Sequence, residues 1–128
     1  MRQIILNRLD QLRIKKSIRE AKNNRSITKE EAEMLENELA SAVIIEPKDI
    51  PHDIVTMNSI IRIRFASDDR TLEFQIVYPD NANVRENKIS IFSPVATALI
   101  GYREHDEIEW AVPGGLTRIR IEKIDRKS

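Results

Sequence analysis

Two hydrophobic periods divide this chain. Leu9, Leu12, Ile14, Ile18 and Ala21 recur at helical spacings, and Ala32, Leu35, Leu39 and Ala42 alternate steps of three and four. From Ile61 onward the pattern changes to alternation, with Ile61, Ile63 and Phe65 against Arg62 and Arg64. The first pattern predicts helices over about 7–22 and 29–43. Asn23-Asn24-Arg25-Ser26 lies between them, and Asn tolerates positive φ while Asn and Ser bond their own backbone. So short a connection makes the helices antiparallel neighbours. Thr28 and Glu31 form a capping box for the second helix, and Ile27 with Ala32 suits a hydrophobic staple. The first proline is Pro47; Pro47 and Pro51 disfavour helix at the residue before each, so the second helix ends by residue 45 or 46.

The alternating half predicts strands over 61–65 and 72–76, joined by the turn Ser67-Asp68-Asp69-Arg70 and ending at Tyr78-Pro79. A loop over 80–83 leads to a strand over 88–92. Ser93 then caps a short helix over 95–100, with Pro94 at its first position and Gly101 ending it in the left-handed region. Strands over 107–112 and 116–124 flank the turn Pro113-Gly114-Gly115. The sum is an α+β protein. A helical hairpin, or short coiled coil, spans 1–46. A joint with a first strand spans 47–59, and a mostly antiparallel sheet of four to six strands with one short helix spans 60–128.

A length of 128 residues suits one such unit. With no cysteine, disulfide and thiolate chemistry are excluded. The start Met1-Arg2-Gln3-Ile4-Ile5-Leu6 is too short an apolar run for a signal peptide, and no run approaches the ~20 residues a bilayer requires. A cytoplasmic location is therefore expected, with no membrane partner. Formal net charge is zero, so no global field draws the chain to nucleic acid. The balance conceals a split. Seven bases against two acids lie between Arg8 and Arg25, and six acids against Lys29 alone between Thr28 and Glu46. Across a hairpin these charges set orientation more than stability, since exposed pairs contribute only ~0–1 kcal/mol each.

No catalytic constellation emerges. His52 and His105 stand in separate loops without a second ligand at metal spacing. Gly114-Gly115 precedes a strand rather than a helix and lacks the Lys-Ser/Thr of a phosphate loop. Asp68-Asp69 and Asp106-Glu107 read as solvated turn carboxylates, and Trp110 reads as core. No catalytic, cofactor-binding or metal-binding residue is expected, and a protein-interaction role is favoured.

Specific wording adds to the pattern. Pro51-His52-Asp53-Ile54-Val55-Thr56-Met57-Asn58-Ser59, Ser93-Pro94-Val95-Ala96-Thr97-Ala98-Leu99-Ile100-Gly101, Asp106 and Pro113-Gly114-Gly115 occur in this order behind a helical hairpin. In these residues the chain resembles the Gre transcript-cleavage factor family over nearly its whole length. The resemblance implies an FKBP-like sheet domain that docks on the rim of the bacterial RNA polymerase secondary channel. It places Ser93, Pro94 and Val95 in the docking surface and points the hairpin into the channel. Cleavage factors of that family carry an acidic pair at the hairpin tip, which helps to hold a second Mg²⁺ at the polymerase active site.

Three departures qualify the resemblance. The tip Asn23, Asn24, Arg25 and Ser26 offers no carboxylate. About sixteen helical residues reach only ~24 Å, less than the arms of cleavage factors. Ala96-Thr97 replaces the Gly-Arg or Ala-Arg common after the Ser-Pro step. The expectation is a non-catalytic, monomeric polymerase-binding regulator that competes with cleavage factors, any DNA contact being indirect. The alternatives are an active cleavage factor using Glu30 and Glu31, and, by fold analogy alone, a peptidyl-prolyl isomerase.

Overall fold

The computed structural model describes residues 4–112 and 115–125. Its first element is one the helical pattern did not suggest: a short strand, β1 (Ile5–Asn7). Asn7 ends β1 and caps helix α1 (Arg8–Asn23), its side-chain oxygen accepting from the Asp10 N–H at 2.8 Å. The tip follows. Arg25, rather than an Asn, takes the left-handed conformation at φ +59. The Ser26 N–H donates to the Ala21 carbonyl at 2.9 Å and to the Asn24 side-chain oxygen at 3.1 Å.

Helix α2 (Lys29–Ser41) starts with the capping box intact. Thr28 N–H donates to Glu31 Oε1 at 2.9 Å and Glu31 N–H to Thr28 Oγ1 at 3.0 Å. The helix stops two residues before the expected end, because Val43-Ile44-Ile45 is a β-branched run that prefers extended backbone. This run forms β2 (Val43–Ile45), parallel to β1. The two strands close the hairpin at its base.

The joint contains a 3₁₀ turn (Pro47–Asp49) and, in place of the expected first strand, a single bridge from Ile54 to Arg103. The sheet proper has five strands among the described residues. Strand β3 (Ile60–Phe65) lies antiparallel between β4 (Thr71–Val77) and β7 (Gly115–Asp125), and β6 (Glu107–Val112) pairs antiparallel with the outer edge of β7. At the other edge β5 (Lys88–Ser90) runs parallel to β4 and ends two residues earlier than the alternation predicted. The whole is an α+β fold with a mixed, mostly antiparallel sheet. Within the turn Pro113-Gly114-Gly115, Pro113 and Gly114 lie outside the described residues; Gly115, at φ +133, opens β7 opposite Val112.

The alternation of β7 changes phase. Ile119 and Ile121 point inward, and so does Ile124 three residues on. A register shift opposite Arg62 and Ile63 resolves the conflict. Lys123 faces Arg62 and Ile121 faces Ile63, so Glu122 is the extra residue. The bulge turns Glu122 to the outer face, where its carboxylate accepts from Arg64 Nε at 2.7 Å. That pair separates two arginines, Arg64 and Arg120, which the register sets directly opposite each other.

Helix α3 (Pro94–Leu99) covers the inner face beside α2 and β6. One hydrophobic core passes without interruption from Ile14, Ile18, Leu35 and Leu39 of the hairpin to Ile61, Phe74, Leu99 and Ile121. The hairpin is therefore packed against the sheet.

Candidate functional site

The segment Pro51–Ser59 is explained by packing and turn chemistry. Ile54, Val55 and Met57 are buried. Asp53 pairs with Arg103 at 3.1 Å. Thr56 N–H donates to Ser59 Oγ at 3.0 Å, and the Ser59 N–H donates to the Thr56 carbonyl at 3.2 Å. Between them Asn58 adopts φ +70, and its N–H donates to the Ile76 carbonyl at 2.7 Å. Asn is among the residues that best tolerate this backbone, which accounts for its place in the segment. His52 is exposed.

The Met57 N–H points to the hairpin, donating to Asp10 Oδ2 at 3.1 Å. Asp10 also accepts from Asn7 Nδ2 at 3.1 Å and is only 9% exposed. Burial raises its pKa above the ordinary carboxylate value, opposed by the Met57 N–H, the Asn7 amide and the charge of Arg13. The Tyr78 hydroxyl is enclosed and makes no hydrogen bond of good geometry, although Asp10 and Arg13 both approach it. Its pKa is pushed above the usual phenol range, first by burial and then by the Asp10 charge.

The residues expected to dock, Ser93, Pro94 and Val95, open α3. Pro94 is exposed and its neighbours are half-buried. Ser93 does not cap through its hydroxyl, contrary to expectation; only its carbonyl engages the helix, accepting from the Thr97 N–H at 3.0 Å. Thr97 faces inward, 1% exposed, with its hydroxyl donating to the Ile91 carbonyl at 2.8 Å. A threonine here satisfies a carbonyl within the fold.

The structure sets part of the hairpin tip against the sheet. Asn24 and Ser26 of the tip, with Ser17 and Glu20 of α1, line a cleft of about 80 Å³ whose other wall is Tyr78, Pro79, Asp80 and Phe92. Phe92 immediately precedes Ser93, but Ser93, Pro94 and Val95 do not line the cleft. The opposite wall was read in sequence only as a strand end and a loop. Its usable signal was Pro79 after a strand-end aromatic, which aims the chain at the hairpin through a 3₁₀ turn (Pro79–Asn81). Of the candidate metal-holding acids, Glu31 is committed to the capping box and Glu30 is exposed in the first turn of α2. Among the described residues no group of three or more His, Asp or Glu is placed to hold a metal ion, and no helix is long and apolar enough to cross a membrane.

A two-helix hairpin closed by a small parallel ladder and seated on a mixed sheet defines a transcription-factor architecture, as comparison with known proteins shows. The family model for the C-terminal part of the transcription elongation factors GreA and GreB matches residues 50–126, and the chain belongs to this family. Membership implies RNA polymerase as a partner. The chain is 37% identical to the regulator of nucleoside diphosphate kinase from Escherichia coli over 73% of its own length and 70% of the relative's. It is 36% identical to transcription elongation factor GreA from Clostridium botulinum over 84% of its length and 67% of the relative's. A solved GreA/GreB structure from Nitrosomonas europaea superposes with a TM-score of 0.77 at 35% identity, covering 98% of this chain and all of the other.

Proposed function

We propose that this chain is a non-catalytic regulator that docks at the secondary channel of RNA polymerase and competes there with cleavage factors. The observation that carries the reading is the tip. Its four residues, Asn23 to Ser26, bring no carboxylate, and Arg25 opposes a cation. A second Mg²⁺ requires hard oxygen ligands, typically one or two carboxylates at ~2.1 Å with substrate oxygens completing the shell. Glu31 already satisfies the Thr28 N–H, and carboxylates in the first turn of α2 favour the positive helix end. The likeness to the E. coli regulator, which shares a short hairpin and the wording of Pro51–Ser59 by resemblance, extends the reading to an influence on nucleoside diphosphate kinase levels.

Similarity to GreA supports a second reading, a cleavage-stimulating factor using Glu30 and Glu31. Stalled elongation complexes separate the two. Incubation with this protein and Mg²⁺ is expected to leave release of short 3′ RNA fragments unchanged. Faster release, abolished by Glu30→Ala and Glu31→Ala, would establish the second reading instead. Docking is tested by capture of core RNA polymerase. Capture should fall on adding a cleavage factor and in a folded Pro94→Asn variant; full capture by that variant would remove Pro94 from the surface.

A further inference from the structure

We propose that the cleft between the hairpin tip and the Tyr78–Asp80 corner is a socket for one basic side chain, an arginine or lysine head group, presented by the protein partner. The inference rests on the polymerase reading for that partner's identity, and on the structure for the chemistry.

The cleft has room for a small head group: about 80 Å³ is the share of two or three waters in the liquid, enough for a guanidinium or an ammonium. Charge selects next. Glu20 and Asp80 both line the cleft. The Asp80 carboxylate has no hydrogen bond or ion pair among the described residues, and Glu20 has only an exposed, 3.9 Å approach from Lys16. Arg13, a turn back on α1, is drawn toward the Tyr78 hydroxyl. The walls then favour a cation over a small neutral group. Half-buried Tyr78 and Phe92 contribute aromatic surface, against which a cation is attracted by the ring quadrupole. Asn24 and Ser26 add oxygen acceptors for the remaining N–H groups.

Place supports use by a protein. Phe92, which lines the socket, stands two residues before the exposed Pro94, so a partner lying on the start of α3 is within reach of it with one long side chain. Both of its walls are held: the tip by the Ser26-to-Ala21 bond, and the corner by Asn81 N–H donating to the Tyr78 carbonyl at 2.9 Å. The site is thus formed before the partner arrives, and little ordering entropy is lost on binding.

Two measurements test the proposal. In the first, amide shifts are followed by NMR as N-acetyl-arginine N-methylamide is added at millimolar concentration, with the uncharged citrulline analogue as control. Shifts localised to Glu20, Asn24, Ser26, Asp80 and Phe92 are expected with arginine. They should be absent with citrulline and lost in the Glu20→Gln/Asp80→Asn double variant. Equal shifts with citrulline, or shifts with Mg²⁺ alone and none with arginine, would overturn the socket. In the second, each single variant is expected to bind core RNA polymerase about five- to tenfold more weakly at low salt, the difference shrinking as salt rises. Full affinity in a folded double variant would overturn the assignment while leaving the polymerase reading intact. Absence of binding by the unaltered protein would instead overturn the polymerase reading, and the arginine titration alone would then judge the socket.

Discussion

At Gly101 the backbone turns to φ +83, and an added Cβ would come within 2.8 Å of the Ile4 Cβ and 3.1 Å of the Ile5 carbonyl. This is where β1 is held from outside the hairpin, through Ile5 N–H donating to the Gly101 carbonyl at 3.0 Å. Gly101→Ala should therefore cost about 2–4 kcal/mol, combining left-handed strain with overpacking against backbone. Thermal unfolding would read the loss. Asp10 offers a second test. Removing its carboxylate leaves the buried Met57 N–H without an acceptor, so Asp10→Ala should destabilise by about 1–3 kcal/mol. Its pH dependence has a definite sign. The folded pKa is raised, so the folded protein holds that proton more tightly than the unfolded chain. The associated stability is complete at pH below the ordinary aspartate value and is lost as pH rises through the higher folded value. Relative to Asp10→Asn, the parent protein should lose stability over that window; an opposite slope would show that Asp10 is stabilised as a carboxylate.

Between elements, the capping box is the simplest quantity to measure. Thr28→Ala should cost about 1 kcal/mol, seen as a lower midpoint in urea with unchanged slope. The box was legible because its two side chains lie three residues apart and act only on local backbone. The helices, the main sheet strands and the left-handed Gly101 were legible for the same local reasons. What escaped was set by partners far along the chain. Ile5-Leu6-Asn7 and Val43-Ile44-Ile45 are each too short to show a period, and become strands only because they meet each other. The bulge at Glu122 exists because β7 must keep Ile121 and Ile124 on one face while pairing with β3. Leu72 belongs to the inward alternation of β4 yet remains 43% exposed, since alternation specifies a face but not what covers it. For the candidate site, the sequence gathered Ser93 to Val95 and the tip residues into separate expectations. That Asn24 and Ser26 share a cleft with Tyr78, Asp80 and Phe92 depends on how the hairpin lies on the sheet, which no local pattern encodes.

For the molecule as a whole, the unbroken core from Ile14 to Ile121 implies that hairpin and sheet unfold together. Far-ultraviolet ellipticity, dominated by α1 and α2, and Trp110 fluorescence from the sheet should report coincident transitions in urea. Two separated midpoints would show independent units. The cooperation follows from the shared apolar surface: Ile18 of the hairpin and Val55 and Met57 of the joint belong to the same buried core as Ile61 and Ile121 of the sheet.

The ladder at the hairpin base has a consequence for biosynthesis. As the nascent chain emerges, Ile5 leaves the ribosome long before Val43 and longer still before Gly101. Helices α1 and α2 rely on near neighbours and can zip early, within the time of a few translation steps. Strand β1 has no such option. One edge waits for β2, and the Ile5 N–H has no acceptor until Gly101 has been synthesised and α3 has turned it into place. Loop-closure entropy must be overcome before that contact stabilises anything. The opening segment of the chain is thus among the last parts of the protein to be secured, and until then its Ile4, Ile5 and Leu6 are exposed to any chaperone that follows synthesis.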